Sequence, residues 1–179
     1  MFAWLNTRRD RNRNARKLYG SIVTQARQPA FYAAWGVPDT PQGRFEMVVL
    51  HVGLAMQRLS QAGPAGHRLA QVLTETFVTD MDDCMREMSF SDLAVPKEIK
   101  RSAAALFDRH TAYGAALASP GEGRLTAALA EQMAYLHQQG DWDAAPLAAY
   151  ARCAASALAA MQDAQVLAGS MDWPDLPRT

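Results

Sequence analysis

Four ionisable side chains interrupt an otherwise apolar run at residues 43–59, GRFEMVVLHVGLAMQRL: Arg44, Glu46, His51 and Arg58. Burying any of them without a partner is costly, so each demands a counter-group, an opening or solvent. An imidazole there can face a ligand or satisfy itself inside the core, and the second is the default where no metal-ligand spacing surrounds it. The histidines His51, His67, His110 and His137 make no such spacing. A second set follows at Asp80, Asp82, Asp83 and Glu87, in which Asp80, Asp83 and Glu87 share one side of a helix. A di-iron bundle would need Glu-x-x-His on two helices, and the sequence has none. A solvated or partner-facing acidic stripe is therefore expected, relieved by Arg86 four residues after Asp82. Interleaved with it stand Met81, Met85 and Met88, which with Met47 and Met56 place flexible, polarizable side chains on two successive helices. They are either core filler or an adaptable binding surface. No Gly-rich phosphate loop, nucleophile elbow, CxxC or HExxH occurs. No catalytic residue, metal or cofactor is expected, and no enzyme.

These groups must be positioned by helices. In residues 43–59, Phe45, Val48, Val49, Val52, Met56 and Leu59 recur at steps of three and four, while Met47, Leu50 and Leu54 cover another side. A helix apolar over most of its circumference belongs in the middle of a domain. Upstream, Leu18, Ile22, Val23 and Ala26 predict an amphipathic helix over 14–28, and Pro29 opens a short one carrying Phe31, Tyr32 and Trp35 as a core anchor or a docking patch. GVPDTPQG (36–43) reads as a loop and GPAG (63–66) as a tight connector into an antiparallel hairpin. The next helix, 67–88, carries a stripe from Leu69, Leu73 and Phe77 through Met81, Cys84 and Met85 to Met88. Further helices are expected over 95–117, burying Ile99, Ala103, Leu106, Phe107 and Tyr113, and over 125–138 and 145–167. Cys84 and Cys153 read as small core residues. The tail, 169–179, packs by Trp173 or hangs loose. The expectation is one all-α domain of about six or seven helices over residues 18–168.

With 49% hydrophobic and 20% charged residues the chain suits a globular fold and not a disordered one. Its zero net charge hides an asymmetry: residues 1–17 hold six basic side chains against one acid, the remainder twelve against seventeen. This N-terminal arm, with Phe2 and Trp4 ahead of Arg8, Arg9, Arg11 and Arg13, suits a membrane interface or RNA phosphates, or is a solvated terminus. No apolar run spans a membrane and no signal peptide core is present, so the expected location is cytoplasmic or peripheral at the inner membrane; no DNA partner is expected.

The series LYGSIVTQARQPAFY (18–32), GVPDT (36–40), GRFEMVVLH (43–51), Arg58-Leu59, DMDDCMREM (80–88), SDLAVPK (91–97) and DRHTAY (108–113) resembles the ubiquinol–cytochrome c chaperone family, the assembly factors of the cytochrome bc1 complex. Ser89-Phe90 stands where the family tends to show glycines. The resemblance implies a non-catalytic role: binding newly made cytochrome b, with a small partner protein and near the ribosomal exit in mitochondrial relatives. Without a mitochondrial presequence the chain is similar to the bacterial members. Its shared polar residues are Arg27, Asp39, Arg44, Glu46, His51, Arg58, Asp80, Asp82, Arg86 and Glu87, and they fit a buried register-fixing network or a binding face equally. Client or partner contact is expected at Arg44, Glu46, Met47, His51, Arg58, Asp80, Met81, Asp82, Met85, Arg86 and Met88, and membrane or ribosome contact along the arm. The rival expectation is a carrier or enzyme enclosing a quinone or other lipid-like ligand around His51 and Arg44. An enclosed cavity would favour it, an open groove the chaperone.

Overall fold

Helix α3 (Pro41–Gln61) is the axis about which the others assemble. Its start is fixed locally: Pro41 supplies a pre-set φ, and the Gly43 amide donates to the Thr40 hydroxyl at 3.1 Å. Met47, Val49, Leu50, Val52, Ala55 and Leu59 are fully buried, so the apolar circumference read from the sequence is met by neighbours on several sides. Those neighbours are α1 (Ala3–Ala26), α4 (Gly63–Glu87), α5 (Val95–Ala118) and α7 (Ala145–Ala160). Two single-turn helices, α2 (Pro29–Ala33) and α8 (Asp163–Leu167), and α6 (Gly123–Met133) with a 3-10 turn at Ala134–Leu136 complete the set. The computed structural model describes residues 3–88, 91, 94–119, 121, 123–137 and 142–176, with side chains from residue 8 onward. Among the described residues the fold is all-helical, six helices being longer than two turns, and no strand occurs.

One contiguous core joins Leu18, Ile22 and Phe31 to the α3 residues, to Leu69, Leu73 and Phe77 of α4, to Leu106 and Tyr113 of α5, and to Leu125, Leu129, Leu147 and Leu158. Tyr19 meets Asp80 and Asn12 shares a wall with Val72, so α1 and α4 run side by side in the same direction. Burying side chains of this size stabilises by roughly 1.5–3 kcal/mol each, which is where a helical bundle's stability comes from.

Several boundaries differ from the sequence expectation. GPAG is the first turn of α4 and not a loop; the chain reverses at Ala62–Gly63, where Gly63 takes φ +66°. Gly66 is needed because a Cβ there would lie 2.0 Å from the Leu59 carbonyl oxygen. The predicted helix over 145–167 is broken. Arg58 reaches across from α3, its Nε donating to Leu158 O at 2.8 Å and its Nη2 to Met161 O at 2.7 Å and Asp163 Oδ1 at 2.6 Å. A cation at the end of α7 satisfies carbonyls that continued helix would have used, and reciprocal capping between Gln162 and Gln165 starts α8. Helix α6 ends at Met133, five residues short of the prediction. The basic stretch read as an arm forms the first turns of α1, from Ala3. Cys153 is exposed and Cys84 half-buried, so neither is a core residue, and Phe107 is half exposed. The tail is docked: Trp173 donates its Nε1 hydrogen to Ser21 Oγ at 2.9 Å and Met171 is buried.

Candidate functional site

The stripe on α4 changes role along its length. Leu73 and Phe77 are sealed against α3, with the Phe77 ring 6.3 Å from that of Phe45. Beyond them Met81, Cys84 and Met85 are only half-buried and Met88 is 51% exposed. The expected continuous core stripe is thus, in its last two turns, one wall of an open groove of about 560 Å³. Helix α5 forms the facing wall through Glu98, Arg101, Ser102, Ala105 and Arg109, spaced so that one helix face is presented. Phe45 and Val48 of α3 form the base, and Val23 of α1 and Arg27, just past that helix's end, close one side.

The base contains a charge that the apolar walls alone could not hold. Glu46 is fully buried. Arg109 donates to it from Nε (to Oε2, 2.7 Å) and from Nη2 (to Oε1, 2.7 Å), and the Tyr135 hydroxyl donates to Oε1 at 2.8 Å. A planar guanidinium forked onto a carboxylate is the strong form of such a bond, and three donors leave Glu46 well satisfied. Burial, and then the hydrogen bond to Glu46, push the Tyr135 phenol up, so it remains a donor at neutral pH. This triad ties α3 to α5 and to the turn after α6.

The rim is charged, and most of its charges are paired. Arg44 grips Asp39 at 2.7 and 3.3 Å, holding that carboxyl below its ordinary range. Arg101 meets Glu98 at 2.9 Å and Arg86 meets Asp82 at 2.9 Å. Asp80 accepts from the Tyr19 hydroxyl at 2.6 Å. Burial, followed by Asp80, pushes the Cys84 thiol up, so it is a poor nucleophile at neutral pH.

His51 lies elsewhere, sealed beneath Phe31, Tyr150 and Trp173. Its Nδ1 is 2.7 Å from Met47 O and its Nε2 is 2.8 Å from the Tyr150 hydroxyl, which accepts from Gln25 Nε2 at 3.0 Å. One tautomer satisfies every member: Nδ1–H donates to Met47, and Tyr150 donates to an unprotonated Nε2. Burial lowers the His51 pKa to about 4, so the ring is neutral. No described cavity includes His51, and Arg44 stands on the groove's open rim. His51, with both ring nitrogens bonded in the core, and Arg44, on the rim, share no described cavity.

A family profile described as Ubiquinol-cytochrome C chaperone matches residues 33–173. The chain belongs to this family. Its fold is similar to the crystal structure of the Cbp3 homolog from Brucella abortus, at 35% identity and a TM-score of 0.84, covering 98% of this chain and 97% of that one. Among curated proteins none matches. The family match takes in α3 to α8, and with them the groove's base and two facing walls, while Val23 and Arg27 precede it.

Of the residues singled out from the sequence, Arg44, Glu46, Asp80, Met81, Met85 and Met88 do converge on the groove. Asp82 and Arg86 pair with each other on α4, outside the lining. Met47 and His51 are fully buried and present no surface to a partner; Arg58, nearly buried, borders a separate cavity with Leu54, Gln57 and Arg152. In the basic stretch Arg8, Arg9 and Arg13 are exposed, Arg13 pairing with Asp10, and Arg11 is half-buried. Phe2 and the Trp4 side chain lie outside the described residues. Sequence reasoning missed Arg109 and Tyr135 as the partners of Glu46; the signal for Arg109 was its place at i+4 from Ala105 and i+11 from Glu98, on the groove face of α5.

Proposed function

We propose that this family member is an assembly chaperone of the cytochrome bc1 complex which holds newly made cytochrome b in the groove between α4 and α5. The observation that carries the reading is the exposed thioether wall: Met81, Met85 and Met88 open onto a space whose surface is mostly apolar. Methionine adapts its shape to different apolar partners, as a holder of unassembled membrane helices must. The role is non-catalytic; no chemistry beyond contact is asked of Glu46 or Cys84. Among the described residues no helix is long and apolar enough to cross a membrane. Contact with the inner membrane or a ribosome falls to the exposed Arg8, Arg9 and Arg13, and a small partner protein is accommodated by the faces outside the groove.

The test is site-specific photocrosslinking in the native host from position 85, followed by mass spectrometry. Cytochrome b is the expected capture, and Met81→Glu with Met85→Glu should abolish it while the circular dichroism spectrum is unchanged. Capture of no bc1 subunit from this position, with normal cytochrome b levels in a deletion strain, would overturn the reading.

A further inference from the structure

Each cation lining the groove but one is held by an acid, and the lining carboxylate Asp80 is held by the neutral Tyr19 hydroxyl. Glu46 is met by Arg109 and Tyr135, Arg44 by Asp39 and Arg101 by Glu98. Arg27, exposed just past the end of α1, lines the same groove, and its guanidinium makes no hydrogen bond or ion pair among the described residues. An unpaired guanidinium at the edge of an apolar floor favours an anionic group on whatever occupies that floor. The shape adds a second constraint. The α5 wall from Glu98 to Arg109 runs about 16 Å at 1.5 Å per residue, about three helical turns. Both long walls are helices and among the described residues no strand edge borders the groove, so an extended segment would find no backbone ladder to join.

We infer that the groove takes an apolar helix about three turns long that carries a carboxylate at the end lying beside Arg27. Arg27 then selects the segment and its direction, while the methionine wall supplies sequence-tolerant contact. This rests on the groove being the client site, and it names which part of a membrane-protein client is held.

The experiment uses the full chain and synthetic fourteen-residue Leu/Ala helices, acetylated and amidated so that only the chosen side chain is charged. One pair carries Glu or Lys near the N-terminus, a second pair near the C-terminus, and binding is read by fluorescence anisotropy. In one of the two pairs the Glu peptide should bind about three- to tenfold tighter than its Lys counterpart, a charge pair partly shielded from water being expected at that scale. Arg27→Glu should invert that preference, and Met85→Glu should abolish binding of every peptide. Equal binding of Glu and Lys peptides in both pairs, or a preference unchanged by Arg27→Glu, overturns the inference. Cytochrome b capture that is lost with Met85→Glu but indifferent to Arg27→Glu overturns it too, and leaves the groove reading standing. Loss of neither binding nor capture with Met85→Glu overturns both. A concentration-dependent dimer that Met85→Glu dissolves would assign the groove to a second copy of the chain and would also overturn it.

Discussion

Replacing Arg109 by Met strips the Glu46 carboxylate of its counter-charge and of two of its three hydrogen bonds. Breaking a buried pair from one side costs about 3–5 kcal/mol, because the surviving charge stays desolvated. Glu46 is wholly buried, but Arg109 keeps 14% of its side chain exposed towards the groove. Water entering there relieves part of the penalty, so the expected loss is about 3 kcal/mol, the lower end of that range. For a chain of this length that is a fall in Tm of about 6–12 °C. Removing both charges, Glu46→Leu with Arg109→Met, leaves only the half-exposed Tyr135 hydroxyl to turn to solvent, and should cost about 1 kcal/mol or less. The double variant is then more stable than the single one, a reversal that additive contacts cannot produce. Urea unfolding followed by far-ultraviolet circular dichroism, with an unchanged m-value, measures both. An Arg109→Met variant within about 1 kcal/mol of the parent, or a double variant less stable than the single one, would refute the reasoning.

His51 gives a pH signature: its pKa is about 4 when folded against 6.5 when free, so its contribution is complete above about pH 6.5 and is lost as the pH falls toward 4. The loss amounts to at most about 3 kcal/mol; stability against pH for the parent and for His51→Gln should diverge over that window, and parallel curves would refute the assignment. Two glycines of α3 should behave oppositely. A Cβ on Gly43 would lie 2.0 Å from Pro38 O, whereas one on Gly53 meets His110 Cα at an ordinary 3.7 Å. Gly43→Ala should therefore destabilise by about 2 kcal/mol or more and Gly53→Ala change stability by less than about 1 kcal/mol, both read by thermal melting. Arg58→Met should cost about 1–3 kcal/mol by leaving the Met161 carbonyl without its donor and the Leu158 carbonyl with the Met161 amide alone, with faster amide exchange at the α7–α8 junction than elsewhere.

Periodicity made the fold legible because most helices bury one continuous apolar face. Every apolar residue assigned to the core of α3 is buried or half-buried, and Leu69, Leu73 and Phe77 behave as read. What periodicity cannot distinguish is a stripe that meets a neighbour from one that faces a gap. Met81, Cys84, Met85 and Met88 continue the spacing of Leu73 and Phe77 without a break in pattern, yet α3 lies over only the earlier turns. The break after Ala160 escaped for a related reason: the cause is Arg58, about a hundred residues away, and the local sequence is a good helix former throughout.

Glu46 shows how far a single residue can be taken and where it stops. Its place in an apolar helix demands a partner, and that demand is readable without coordinates. The partner's identity depends on which turn of α5 comes to rest against which turn of α3, a matter of tertiary register. DRHTAY sets two basic side chains, Arg109 and His110, next to each other in the chain. In the structure they divide the work: Arg109 binds Glu46 at the groove, while His110 Nδ1 lies 3.2 Å from Gly53 O, where the small residue lets α5 come close. The two contacts lie about two helical turns apart along α3, enough to fix both the separation and the rotation of α5 relative to it. The opening between α4 and α5 is set by that placement, so the buried pair supports the groove's shape without itself offering a surface to the client.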